Sequence, residues 1–397
     1  MAESGSLFHH LECRGCGRTV DPARPVGTCP GCGHTLLAAY ALDRLDGRRW
    51  LADLPSREAS LWRYRELLPV GRTGAVLSLG EGFTPILPIG PIPEAPGILV
   101  SVKDDGGLPT GSFKARGMAV AVSRAKELGL SDLYVPSAGN AGIALAAYAA
   151  RGGLHSRIYL PESTPAPARD ACALYGAEVI GVPGTIREAG TVARTREADR
   201  GSFDMSTLRE PYRVEGKKTM GLEIFEQSQP GPMPDAVLYP TGGGTGLVGM
   251  AKAFRELAEL GLLERPPRLY AVQPEGCAPV VRALAEGADR VTTWEEPRTV
   301  APGLLVPSPF ASERVIESVR STGGGGMTVT DREILSAMRA LGHRHGISAS
   351  PEAAAPYAAL PKLLRRGDVK PGERVLLYNT GTGLAFSVDA LERSLRD

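Results

Sequence analysis

Leu133-Tyr134-Val135-Pro136-Ser137-Ala138-Gly139-Asn140-Ala141-Gly142, running on into Ile143-Ala144-Leu145-Ala146-Ala147-Tyr148-Ala149-Ala150, decides the fold. The first three residues are apolar and stopped by a proline, the signature of a short buried strand. The residues after Gly142 are mostly alanine, with no Gly or Pro, and predict a helix. A polar turn joins the two. The same order recurs along the chain. Strand-like runs at 98–102, 133–135, 157–160, 178–182, 236–239, 269–273 and 374–378 alternate with helical stretches at 114–128, 141–150, 166–175, 186–200, 217–227, 245–260, 331–345 and 352–365. This alternation predicts an α/β fold with open, mostly parallel sheets flanked by helices. The glycines at 323–326, with Pro302, Pro307 and Pro309 upstream, are expected in an irregular connection serving as a lid or interface loop.

Composition excludes several classes of function. Among 397 residues, 45 basic side chains against 44 acidic ones leave a formal charge of +1, without the basic excess of a nucleic-acid binder. No run approaches the ~18 apolar residues of a membrane span, and the first residues lack a basic segment followed by an apolar one. A cytoplasmic protein without a membrane partner is expected. Four of the six cysteines fall in the first 32 residues, as Cys13-Arg14-Gly15-Cys16 and Cys29-Pro30-Gly31-Cys32, with Gly17 and Gly33 following the pairs. Two such knuckles supply the four soft ligands that tetrahedral zinc favours, and four protein ligands make a closed, structural site. Residues 1–45 are therefore expected to form a zinc-ribbon-like module holding Zn2+ on Cys13, Cys16, Cys29 and Cys32, with His34 a bystander.

In open α/β sheets ligands bind beyond the carboxyl ends of the strands. Four of the loops there carry chemistry. The first, from Lys103 to Gly117, delivers Lys114 to a helix start, where the positive helix end and partial desolvation lower an amine's pKa. The second, Ser137-Ala138-Gly139-Asn140-Ala141, offers backbone N–H groups, a hydroxyl and an amide to a carboxylate. The third, Pro240-Thr241-Gly242-Gly243-Gly244-Thr245-Gly246, is a cradle for a phosphate and lacks the Gly-Lys-Ser/Thr ending of a nucleotide loop. The fourth, Asn379-Thr380-Gly381-Thr382-Gly383, places a hydroxyl that can meet a ring nitrogen, although a plain turn fits it equally well. An amine, a carboxylate receptor and a phosphate cradle are together the parts of pyridoxal phosphate chemistry on an amino acid.

Pro109-Thr110-Gly111-Ser112-Phe113-Lys114, Ser137-Ala138-Gly139-Asn140, Glu215-Gly216-Lys217-Lys218-Thr219, Pro240-Thr241-Gly242-Gly243-Gly244-Thr245 and Thr380-Gly381-Thr382-Gly383-Leu384 resemble the threonine synthases. These belong to the tryptophan synthase β superfamily, the fold type II pyridoxal phosphate enzymes. The resemblance runs in order from about Leu79 to Leu384, and threonine synthases of this type often carry a Cys-rich N-terminal segment. It implies that Lys114 is the Schiff-base lysine and proton carrier, and that Asn140 bonds the cofactor's 3′-oxygen. Gly242, Gly243, Gly244 and Thr245 would hold the cofactor phosphate, and Thr380 would meet the pyridine nitrogen. Ser137, Ala138, Gly139 and Ala141 would line the substrate carboxylate site, Arg213 would contact a substrate phosphate, and Glu352 would lie on a loop near the cofactor.

The reaction so implied converts O-phospho-L-homoserine and water to L-threonine and phosphate. Four positions depart from the family pattern. Leu208 stands where a serine is expected and Glu210 adds a negative charge. Ala115 replaces the common aspartate after the lysine, and Leu108 replaces an asparagine. A β-eliminating or β-replacing enzyme, such as a serine/threonine dehydratase, shares the Ser137–Asn140 wording and is the alternative, followed by a non-catalytic binding protein on the same fold. Thr380 favours the synthase, since dehydratases more often place Ser or Cys there. The expected organisation is a larger domain from 46–130 and 200–397 and a smaller mobile one from 131–199. A homodimer is implied by the superfamily.

Overall fold

A computed structural model describes residues 5–395. The chain divides into two compact units, one built from the residues up to Phe83 together with Lys114–Thr219, the other from Thr84–Phe113 together with Met220 onward.

In the first unit a four-stranded parallel sheet runs in the order Glu178–Val182, His155–Pro161, Asp132–Pro136, Phe203–Asp204. The helices Lys114–Glu127, Asn140–Gly152, Ala166–Leu174 and Ile186–Glu197 accompany it. Strands buried on both faces need continuous apolar runs, and His155–Pro161 is buried from its second residue to its last. Tyr134, Tyr159, Val182, Ala189 and Ala193 form a core between sheet and helix. The helix Ile186–Glu197 starts at a capping box of Thr185 and Glu188, and Asn140–Gly152 stops at Gly153, whose φ of 68° favours glycine. A separate antiparallel sheet, Thr19–Val20, Phe8–Glu12 and Leu37–Tyr40, carries the cysteine module.

The second unit is built on a six-stranded sheet in the order Gly325–Val329, Arg268–Pro274, Ala236–Pro240, Arg374–Asn379, Leu99–Asp104, Ile86–Pro88. All neighbours are parallel except the last pair. A fully buried Lys103 anchors the strand Leu99–Asp104. Its ammonium donates to Glu223 and to the Thr84 carbonyl at 2.7 Å each and to Gln227 at 2.8 Å, which satisfies all three of its protons.

The α/β class with open, mostly parallel sheets matches the expectation, and the helix Asp331–His345 and the strand Glu178–Val182 have the expected bounds. Two local readings change. The glycines expected in an irregular lid instead enter an edge strand, Gly325–Val329. A Cβ on Gly324 would stand 1.8 Å from the Leu269 carbonyl oxygen and one on Gly326 3.0 Å from Val281, so close packing accounts for the glycines. The helix expected from residue 217 begins at Tyr212, which puts Arg213 in its first turn.

Candidate active site

The glycine loop expected to cradle a phosphate joins the strand Ala236–Pro240 to the helix Thr245–Glu259, whose first N–H groups have no acceptor within the helix. Thr241 is pinned by its N–H to the Val272 carbonyl and its hydroxyl to the Tyr239 carbonyl. Gly244 has φ 75°, and a Cβ there would stand 2.3 Å from Val315. A Cβ on Gly242 would lie 2.4 Å from the Gly303 carbonyl oxygen. The turn Pro302–Leu304 therefore packs directly on the cradle. Glu352, at the second position of the helix Pro351–Arg366, secures that turn by accepting the Gly303 N–H at 2.7 Å. Glu352 thus bears on the glycine loop through a backbone turn, a link that no local sequence pattern encodes.

In the same unit Thr380 follows the strand Arg374–Asn379, and its carbonyl accepts the N–H of Phe113, the residue before Lys114, at 2.9 Å. The Thr382 N–H donates to the Gly111 carbonyl at 2.9 Å, and Ser112 pairs with Gly381 in an isolated bridge. Asn379 is held by Asp104 at 2.7 Å, and burial raises the pKa of that carboxyl against the Gly106 N–H. Thr110 sits at φ 63°, a left-handed conformation costing a β-branched residue about 1–2 kcal/mol. The hydroxyls of Thr110 and Ser112 are buried without a hydrogen-bond partner. Each such group costs about 1–3 kcal/mol unless a ligand meets it. Strain and unsatisfied hydroxyls just before Lys114 fit a bound polar group, and the glycine cradle fits a phosphate.

Lys114, Asn140, the 137–141 loop and Arg213 belong to the first unit, whereas Gly242, Gly243, Gly244, Thr245 and Thr380 belong to the second. Lys114 opens the helix Lys114–Glu127 and is partly buried. The Ser137 hydroxyl accepts the Gly142 N–H at 3.0 Å, so it shapes the loop itself; Ala138 and Asn140 are exposed, and Gly139 and Ala141 are half-buried. A Cβ on Gly142 would stand 2.8 Å from Ile158, which lets the loop lie close to the sheet.

Arg213 is buried. Its Nη1 donates to the Met205 carbonyl at 2.6 Å and its Nε has no hydrogen-bond partner. Glu210 accepts the N–H groups of Tyr212 and Arg213, at 2.7 and 3.0 Å. Burial pushes the Glu210 carboxyl up to about 7, against the Arg213 charge and those two N–H donors. A carboxyl raised on folding contributes stability that is fully present below its unfolded value of 4.5 and lost as pH rises through about 7. Glu210→Gln keeps an acceptor but cannot ionise. Between pH 4.5 and 8 the wild-type protein is expected to lose up to ~3 kcal/mol of stability relative to this variant, read as diverging melting temperatures. Parallel pH profiles would refute the assignment.

The four cysteine sulfurs lie within 4.8 Å of one another, with Cys13 to Cys32 at 3.4 Å and Cys16 to Cys29 at 3.7 Å. Thiolates at ~2.3 Å around a tetrahedral ion stand ~3.8 Å apart, so the set has the size of a zinc site. Each knuckle is closed by a glycine near φ 72°, with Gly17 donating to the Cys13 carbonyl and Gly33 to that of Cys29. Burial raises the Cys29 pKa, but the backbone N–H groups of Gly31 and Cys32 together with the neighbouring Cys13 and Cys16 thiols outweigh it and bring the thiol to about 6. A backbone bond from His34 lowers that of Cys32, yet burial and the three neighbouring thiols push it to about 12. Sulfurs this close resist ionising together without a cation. His34 is not one of the clustered ligands.

Residues 77–381 match the family model described as pyridoxal-phosphate dependent enzyme. The threonine synthase of Methanocaldococcus jannaschii is 34% identical over 94% of this chain and 92% of its own. That of Halalkalibacterium halodurans is 35% identical over 82% and 90%. Among solved structures, a threonine deaminase from T.th. superposes with a TM-score of 0.61 at 30% identity, over 73% of this chain and 89% of that one. Maize serine racemase superposes with a TM-score of 0.67 over 79% and 91%, and at 22% identity it speaks for the fold alone. No helix among the described residues is long and apolar enough to cross a membrane.

Proposed function

This chain belongs to the family of pyridoxal-phosphate-dependent enzymes, and on that premise we propose that it is a threonine synthase, forming L-threonine and phosphate from O-phospho-L-homoserine and water. The observation that carries the reading is the likeness to threonine synthases over nine-tenths of both chains. In this reading Lys114 holds the cofactor covalently, Asn140 bonds its 3′-oxygen, Gly242, Gly243, Gly244 and Thr245 cradle its phosphate, and Thr380 meets its ring nitrogen. When bound, pyridoxal phosphate draws electrons from the substrate's Cα and so makes the proton there removable. Lys114 then takes the α proton and moves a β proton, with the substrate carboxylate held at Ser137, Ala138, Gly139 and Ala141. Phosphate departs from Cγ, which takes up a proton and becomes the methyl group, the hydroxyl of water adds at Cβ, and a proton returns to Cα. A neutral hydroxyl at Thr380 in place of a carboxylate leaves the ring nitrogen largely unprotonated. That favours elimination and replacement over transamination.

Arg213 supplies the charge for the substrate phosphate, and its unpartnered Nε supports that role. Cys13, Cys16, Cys29 and Cys32 hold Zn2+ as a structural ion. Loading with Co2+ is expected to give one ion per chain and the absorption of a tetrahedral four-thiolate site. An octahedral spectrum, or loading unchanged in Cys32→Ser, would refute it. The protein acts on a small phosphorylated amino acid, in the cytoplasm and as a homodimer. The test of the reaction is a pair of incubations. With O-phospho-L-homoserine, release of phosphate matched by L-threonine is expected. With L-threonine alone, formation of 2-oxobutanoate without any phosphate release from the first substrate would make it a dehydratase.

A further inference from the structure

The hairpin that carries the second cysteine pair touches the segment leading into Arg213. It is closed by a bridge between Thr28 and Thr35 and by the Cys29 N–H, which donates to the His34 carbonyl at 2.8 Å. Two of its residues reach 173 or more positions along the chain. The buried Thr35 hydroxyl donates to the Leu208 carbonyl at 2.7 Å. Gly27 packs so tightly on Arg209 that a Cβ would stand 2.7 Å from the Arg209 carbonyl oxygen. The same module adds Phe8, edge-on to Tyr212 at 6.4 Å, and Tyr40, whose hydroxyl donates to Glu215 at 2.8 Å.

What these contacts hold is a conformation the segment does not favour by itself. Leu208 has φ 59°, and a branched side chain in that region is an outlier that needs outside support. The Met205 N–H donates to the Tyr134 carbonyl at 2.8 Å and ties the head of this turn to the sheet, Ser206 bonds the Asp204 carboxylate through its N–H at 2.8 Å and through its hydroxyl, and the Arg209 N–H donates to the Ser206 carbonyl. The Met205 carbonyl at the head of this turn is the acceptor that fixes Arg213 Nη1. The position of the guanidinium thus depends on the path of 205–209, which the sheet holds at Met205 and which Thr35 and Gly27 hold at Leu208 and Arg209.

We infer that Thr35 and Gly27, in the cysteine hairpin, are positioning residues for the substrate's phosphate: they hold Leu208 and Arg209 so that Met205 aims Arg213 at that anion. The inference rests on the assignment of Arg213 given above. It gives the N-terminal module a part in substrate affinity, in addition to any part in stability.

The test uses full-length holoenzyme. Thr35→Val removes the hydroxyl at nearly constant volume, and Thr35→Ser restores it. In Thr35→Val the KM for O-phospho-L-homoserine is expected to rise about tenfold, the loss of one buried hydrogen bond felt at an anion site, with kcat and the cofactor's absorption unchanged. Thr35→Ser should return KM to within about twofold of wild type. Amides of 206–214 should exchange hydrogen faster in Thr35→Val alone. An unchanged KM together with unchanged exchange would overturn the inference, as would a fall in kcat and cofactor content with KM constant. If Thr35→Val does not fold, Gly27→Ala carries the same readouts. If the wild-type protein does not turn over O-phospho-L-homoserine, the functional reading fails by itself. Exchange at 206–214 then still decides whether Thr35 holds the segment.

Discussion

Lys114→Ala is expected to abolish turnover, lowering kcat/KM by about 10⁴-fold or more, because one side chain is assigned both the covalent hold on the cofactor and the proton transfers. Borohydride reduction of the wild-type holoenzyme should leave a stable cofactor adduct on the peptide that contains Lys114, and none in the variant. Of the four lysines that are buried, Lys103, Lys217, Lys218 and Lys252, two are clearly poor rivals. Lys103 is fully buried with its three protons given to Glu223, Gln227 and Thr84. Lys218 is buried 2.8 Å from Glu215 and over the ring of Tyr40. An ammonium paired in this way resists becoming the free amine that nucleophilic attack needs. Lys114 is partly buried at a helix start and follows the strained Thr110 turn in sequence. An adduct on any other lysine would remove the assignment.

The second large effect is expected from Gly242→Ala. The added methyl would stand 2.4 Å from the Gly303 carbonyl oxygen, and the turn that bears it is held by the bond from the Gly303 N–H to Glu352. Neither side is the free end of a flexible side chain, so the backbone must shift. Overpacking of this kind costs about 1–3 kcal/mol, and here it falls on the loop assigned to the cofactor phosphate. Cofactor affinity should weaken ten- to hundredfold by equilibrium dialysis, with the far-ultraviolet spectrum unchanged. Gly90→Ala is the control, since nothing lies within 4 Å of a Cβ there. Equal cofactor affinity in both variants would mean that the cradle does not hold the phosphate.

The strands at the centre of the fold were legible because parallel strands buried on both faces cannot hide their apolar runs, as in the fully buried Ala236–Pro240. The cysteine cluster was legible because its spacing is the geometry of the knuckle. Gly325–Val329 was not, since a run of glycines signals a turn, and its parallel pairing with Arg268–Pro274 and the close packing of Gly324 on Leu269 are not written in the local sequence. The start of the helix Tyr212–Ser228 was hidden by Pro211 and by Gly216, whose absent Cβ would fall 2.0 Å from the Arg116 carbonyl oxygen. The motifs named the chemical groups, but the supports of those groups come from far along the chain. Thr35 and Leu208 are 173 residues apart, and Glu352 and Gly303 are 49. No local pattern encodes such pairs.

Whether this protein replaces a phosphate at carbon, and does not merely hydrolyse or eliminate it, is tested most directly by turnover of O-phospho-L-homoserine in water enriched in oxygen-18, with both products read by mass spectrometry. Replacement by way of Cγ–O cleavage and water addition at Cβ gives L-threonine carrying one heavy oxygen and phosphate carrying none. Heavy oxygen in the phosphate, with homoserine as the organic product, or a 2-oxo acid with no threonine, would contradict a threonine synthase.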